Sequence, residues 1–120
     1  MSRVNIENDQ LLITVQGARK FFAFRSEVAL HLDNIVGVTS GLEWKDLPNT
    51  LDKRIGTNAN SFYYGGYFHQ EGRNVFYDLK RKEDAVVISV KDEDFDTVVI
   101  GVDDAKATVE LIEQALDKRS

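Results

Sequence analysis

The sequence predicts a mainly β α+β domain, with about seven antiparallel strands in a bent sheet or partly open barrel, capped by one C-terminal amphipathic helix. Three observations predict it. Apolar and polar residues alternate in short runs between Leu11 and Val102. Turn-forming residues separate those runs at short intervals. After Asp104 the apolar period changes from two to about 3.6 residues, the repeat of a helix with one buried stripe.

Each element follows from its own residues. Leu11, Ile13 and Val15 share one face of an extended run, Gly17-Ala18 offers a turn, and the apolar run 21–24 completes a hairpin. Val28, Leu30 and Leu32 repeat the period of two; Asp33-Asn34 interrupts, and the β-branched run 35–39 resumes it. Between residues 40 and 60 the apolar positions fit neither period. Pro48 near a start and Gly56 just past an end predict a short helix over 48–55.

The chain then turns aromatic and extended over 62–69, with Tyr63 and Tyr67 on one face and Tyr64 and Phe68 on the other. Glu71-Gly72 supplies the following turn. Val75, Tyr77 and Leu79 form the next row, the charged run 80–84 the next connection, and Val86, Ile88 and Val90 another inward row. An acidic turn at 92–94 precedes a strand over 95–102. The helix, over 104–118, carries Ala105, Val109, Ile112 and Leu116 on its apolar stripe, with Lys106, Glu110, Glu113 and Asp117 facing away. An aspartate at its start suits the free amides and positive dipole end, and Lys118 and Arg119 suit the other end.

Size and charge narrow the function. A chain of 120 residues with 42% hydrophobic residues can bury a core as one domain over 1–120, with the ordered part over about 10–117 and loose ends at 1–9 and 118–120. The net charge of −5, with both signs scattered, argues against a polyanionic partner such as nucleic acid. The absence of cysteine removes disulfides, thiolate zinc sites and thiol nucleophiles. No stretch has the composition of a signal peptide or approaches the roughly 20 apolar residues of a membrane span, so a cytoplasmic location is expected.

Several local patterns, Arg54-Ile55-Gly56-Thr57, Gly65-Gly66-Tyr67-Phe68, Glu71-Gly72 followed by Asn74-Val75-Phe76, and the run 98–104 ahead of the helix, resemble a family of small bacterial single-domain proteins with the pleckstrin-homology-like fold. The resemblance covers about residues 11–116 and none of these patterns is catalytic. It implies that architecture, and a module that binds or assembles instead of catalysing.

The residue chemistry points the same way. His31 and His69 each have a carboxylate two residues on, Asp33 and Glu71, but no motif supplies the positioned partner a general base needs, so both read as surface histidines; a carrier or enzyme built on them ranks last. The alternating acids at 92–96 begin like a calcium loop, yet Thr97 stands where that loop needs glycine and Asp103 where it needs glutamate. Arg19, Lys20 and Arg25 occupy the region where lipid-binding relatives of this fold carry cations, which makes an anionic membrane surface the alternative ligand, against the net charge. Trp44, Tyr63 and Tyr67 are the candidate partner contacts, with anchoring to the core the commoner fate of such a tryptophan. No cofactor, metal or small-molecule substrate is indicated. The expected function is a non-enzymatic binding or assembly module whose partner is a protein or a second copy.

Overall fold

A computed structural model describes residues 2–16, 27–44, 47, 52–59, 63–70 and 72–119, with backbone alone for 52–59 and residue 70. The strands are β1 (Ser2–Glu7), β2 (Gln10–Val15), β3 (Glu27–His31), β4 (Ile35–Ser40), β5 (Asp52–Ala59), β6 (Tyr63–Gln70), β7 (Arg73–Lys80), β8 (Asp84–Val90) and β9 (Thr97–Val102), followed by the helix α1 (Ala105–Asp117). They form a three-stranded sheet, β1-β2-β3, and a six-stranded sheet, β4-β8-β9-β7-β6-β5, neither closed into a barrel. Mainly β with one C-terminal helix is therefore correct. About seven strands in one all-antiparallel sheet is not.

The first correction lies at the N-terminus, where residues 2–7 are strand β1 instead of a loose end. Glu7 pairs with Gln10 across a two-residue turn, and both central residues have positive φ, Asn8 at 51° and Asp9 at 63°. That is the type I′ hairpin turn, whose twist matches its strands and which favours Asn and Asp at these positions. Val4 and Ile6 already alternate ahead of it, on the face shared with Leu11 and Ile13. β2 then pairs with β3, while the expected partner run 21–24 lies outside the described residues.

After β3, a 3₁₀ turn over Leu32–Asn34 carries the chain from the small sheet to the large one. There β4 pairs with β8, with a bulge between Ile35 and Gly37 that turns Val36 out to solvent.

The second correction is β9, which lies parallel to β7 and antiparallel to β8. Its sequence, TVVIGV, is apolar at almost every position, and Val98, Val99, Ile100, Gly101 and Val102 are all buried. A strand apolar on both faces belongs at the centre of a covered sheet. Insertion between β7 and β8 places it there, and the up-down-up order of the three strands makes its pairing with β7 parallel. The connection at 81–83 must then cross over the end of β9, and it does so at Gly101, where a Cβ would collide with the Glu83 carboxylate.

The expected helix over 48–55 is contradicted where it can be seen. Residues 52–55 are extended in β5, paired with β6, and 48–51 lie outside the described residues. An isolated two-turn helix is marginal, whereas an edge strand gains a ladder of hydrogen bonds.

The six-stranded sheet is covered on both faces. One face joins the small sheet and α1 in the main core, which contains Leu11, Ile13, Val28, Leu30, Phe76, Val86, Ile88, Val98, Ile100 and Ile112. The other carries a second cluster of Tyr64, Phe68, Tyr77, Leu79 and Val99, against which Leu42, Trp44 and Leu47 pack. Leu42, Trp44 and Leu47, from the irregular part of the sequence, thus cover that face.

α1 matches its sequence reading closely. Asp104 caps it, its side chain accepting from the Ala107 amide at 3.0 Å. Ala105 and Ile112 are buried, Val109 and Leu116 pack on the core, and Lys106, Glu110, Glu113 and Asp117 are exposed. Beyond the helix, Arg119 is not loose: it bridges Asp9 on the β1–β2 turn at 2.8 Å and bonds Asp33 through Nε at 3.1 Å.

Candidate functional site

The aromatic residues expected to meet a partner are largely used inside the fold. Trp44 is half-buried, its ring centroid 5.1 Å from that of Tyr64, so it anchors the 41–44 stretch to the sheet. Tyr67 is half-buried between Phe76 and Phe95. Tyr63, expected to be available at the surface, is buried at 7% exposure. Its ring folds over Gly65, where a Cβ would sit 2.5 Å from it, and its hydroxyl donates to Asp78 Oδ1 at 2.8 Å. Arg19, Lys20 and Arg25 lie outside the described residues.

The histidines do not assemble a site with their sequence-adjacent acids. His31 is exposed, and Asp33 is taken up by Arg119. His69 is half-buried with Nδ1 3.2 Å from Asn74 Oδ1, and Glu71 is outside the described residues. In the acidic turn, Glu93 Oε2 accepts from Asn34 Nδ2 at 3.0 Å and from the His31 amide at 3.3 Å, tying the turn to the end of β3. Asp96 joins strand ends in the same way, accepting from the Asn74 amide at 2.9 Å. Among the described residues no three His, Cys, Asp or Glu side chains are grouped as a metal site requires.

Two arrangements remain that the sequence did not reveal. The first is a buried polar cluster. Asp78, on β7, is fully buried and accepts from Tyr63 through Oδ1 and from Ser2 Oγ through Oδ2, so it ties β1 of one sheet to β6 and β7 of the other. The signal was an aspartate inside an otherwise apolar run, 75–79, where every residue is buried.

The second is an open groove of about 350 Å³ between α1 and the β1–β2 hairpin. Ile6, Leu32, Leu111 and Ala115 form its apolar walls, and Asp9 and Arg119 stand at its rim. Leu111 is 43% exposed, although its helical neighbour Ile112 is fully buried. The Arg119 guanidinium is held above its ordinary pKa chiefly by the hydrogen bond to Asp33, then by the nearby charges of Asp33 and Asp9, so this rim keeps its charge. The groove can take one or two apolar side chains. A sequence reading that sorts α1 into one stripe and a polar remainder passes over Leu111, which lies at the border of the two.

The second core cluster gives the molecule a pH dependence. Tyr77 is 2% exposed, and burial, with a smaller contribution from Tyr64, pushes its phenol up to about 12 from 10. The folded state therefore holds this proton more tightly than the unfolded chain. Its contribution is fully present below pH 10 and is lost as the pH rises from 10 to 12, where the unfolded chain deprotonates first. Two pKa units correspond to about 2.7 kcal/mol at most. Urea unfolding at pH 9 and pH 11.5 should show a steeper alkaline loss for the parent than for Tyr77→Phe. Equal losses would show that Tyr77 titrates normally.

No family model, no curated protein and no solved structure matches this chain.

Proposed function

We propose that this chain is a non-enzymatic, cytoplasmic binding or assembly module of pleckstrin-homology-like architecture that works through protein–protein contact. The observation that carries the proposal is Leu111, a large apolar side chain 43% exposed at the wall of an open apolar groove. Exposed apolar surface bordered by polar groups is what a protein partner buries. A two-sheet arrangement with a C-terminal helix supports the architectural part, and the parallel β7–β9 pairing weighs against it. Among the described residues no helix is long and apolar enough to cross a membrane, which is compatible with the location. The alternative, an anionic lipid surface bound through Arg19, Lys20 and Arg25, rests on the sequence alone and is opposed by the net charge of −5.

A photoreactive amino acid at position 111 tests the reading. Irradiation should give protein adducts, with a second copy in purified samples or with another protein in cell extract. The same probe at Glu113, an exposed position outside the groove, should give far fewer. Equal yields at both positions, or none at either, would remove the groove as a binding surface.

A further inference from the structure

We propose that β1 pairs antiparallel with β1 of a second copy across a two-fold axis at Asn5, joining two three-stranded sheets into one. The inference rests on the assembly reading above and names its partner.

The small sheet ends at β1, whose far side pairs with no strand among the described residues. The two-residue turn sets which backbone groups face that side. Glu7 and Gln10 flank the turn as a hydrogen-bonded pair, so Asn5 and Arg3 also bond towards β2, opposite Leu12 and Thr14. The N–H and C=O groups of Ser2, Val4 and Ile6 therefore point to the open side. Among the described residues, none of the backbone hydrogen bonds made outside the strands and the helix uses them.

Among the described residues the other edges carry interruptions or contacts that β1 lacks. β4 is bulged at Val36, and β5 has a register shift between Lys53 and Ile55. Bulges of this kind disfavour pairing with another chain. On β3 the residues bonded to β2 are Val28 and Leu30, opposite Ile13 and Leu11, so the His31 amide faces outward, and Glu93 Oε2 already accepts from it. β1 has an unbroken register over all six residues and no proline.

Facing backbone groups admit two-fold registers centred on Arg3, Val4, Asn5 or Ile6, and the Arg3 centre sets Arg3 against its own copy. The Val4 centre sets Arg3 opposite Asn5, and the Ile6 centre sets Asn5 opposite Glu7, so neither pairs opposite charges. The Asn5 centre sets Arg3 opposite Glu7 of the second copy, and by symmetry Glu7 opposite its Arg3. It also makes Val4 and Ile6 two hydrogen-bonded pairs across the axis. Arg3, Asn5 and Glu7 are exposed on the outer face, and Val4 and Ile6 are half-buried on the inner one. With the Gln16 amide turned so that its oxygen faces Arg3, that oxygen accepts from Nε at 3.0 Å and from Nη2 at 3.3 Å, which orients the guanidinium and leaves Nη1 to meet a carboxylate. Ile6 also walls the groove beside Leu111, so the apolar surface there runs on to the pairing edge.

Sedimentation equilibrium of the full chain tests the pairing. The parent should be a dimer. Glu7→Arg, which sets two arginine pairs against each other, should raise the dimer dissociation constant by about tenfold or more. The charge-swapped chain, Arg3→Glu with Glu7→Arg, should restore the dimer. Val4→Pro removes an outward N–H without touching the β1–β2 ladder and should give a folded monomer, with circular dichroism confirming the fold. A parent that is monomeric at 100 µM, or a dimer indifferent to both Glu7→Arg and Val4→Pro, overturns the inference. Failure of the charge swap to rescue overturns the Asn5 register. In each of these cases adducts from position 111, with a second copy or with another protein, would leave the protein-contact reading standing.

Discussion

Asp78→Ala is expected to lower the unfolding free energy by about 3 kcal/mol, one of the two largest losses anticipated for single changes in this chain. The side chain is fully buried on β7, opposite Gly65 of β6, and its two oxygens accept from the hydroxyls of Tyr63 and Ser2. Truncation to alanine leaves a void and two buried donors without their acceptor, each worth about 1–3 kcal/mol when unsatisfied. The tyrosine cannot turn aside easily, because its ring is seated on Gly65, where even a methyl group would clash. Asp78→Asn keeps the volume and one acceptor oxygen and should lose about half as much. Urea unfolding monitored by tryptophan fluorescence reads both as a fall in midpoint at constant slope. If Asp78→Ala unfolds within about 0.5 kcal/mol of the parent, the cluster does not hold the sheets together.

Ile112→Ala is expected to cost about 3 kcal/mol for a different reason. Ile112 is the fully buried member of the helix stripe and packs in the main core with residues of both sheets. Removing buried methyl and methylene groups loses their transfer energy and leaves a cavity that the two rigid sheets cannot close, a combined cost of about 2–5 kcal/mol. In a domain of this size that corresponds to about 10–15 °C in Tm. Glu113→Ala, one position on and exposed, should stay within about 0.5 kcal/mol. The paired melts therefore test whether α1 is docked by this face. Similar shifts for the two variants would show that it is not.

Much of the fold was legible because its signals are local. The helix was readable from its cap, its stripe and the abrupt change of period at Asp104, and all of these sit within one short segment. The alternation in β2, β3, β7 and β8 was readable for the same reason. β1 was legible in principle, since Val4 and Ile6 alternate ahead of Asn8-Asp9, but a short strand beginning at Ser2 resembles an end that no partner holds. β5 was misread because Pro48 and Gly56 are helix delimiters by local rules, and pairing with β6 overrides them.

The candidate site was less legible. Trp44, Tyr63 and Tyr67 attracted attention as large aromatic residues, yet size marks core residues as readily as contacts, and these three pack within the fold. The groove depends on residues from a hairpin, a 3₁₀ turn and the far end of α1, distant in sequence and unremarkable singly.

By itself the sequence determined that β2, β3, β7 and β8 extend, where the C-terminal helix begins, which of its faces is buried, and that cysteine and thiolate chemistry are absent. Those properties follow from propensity, period and composition, which each segment carries alone. Only the tertiary structure decided that β9 lies parallel to β7, that Asp78 is sealed between two sheets, that Arg119 reaches back to Asp9 and Asp33, that Leu111 is exposed, and that the β1 edge pairs with no other strand among the described residues. Each of those depends on which segments become neighbours, a choice made by the simultaneous burial of many apolar faces and written in no single one of them.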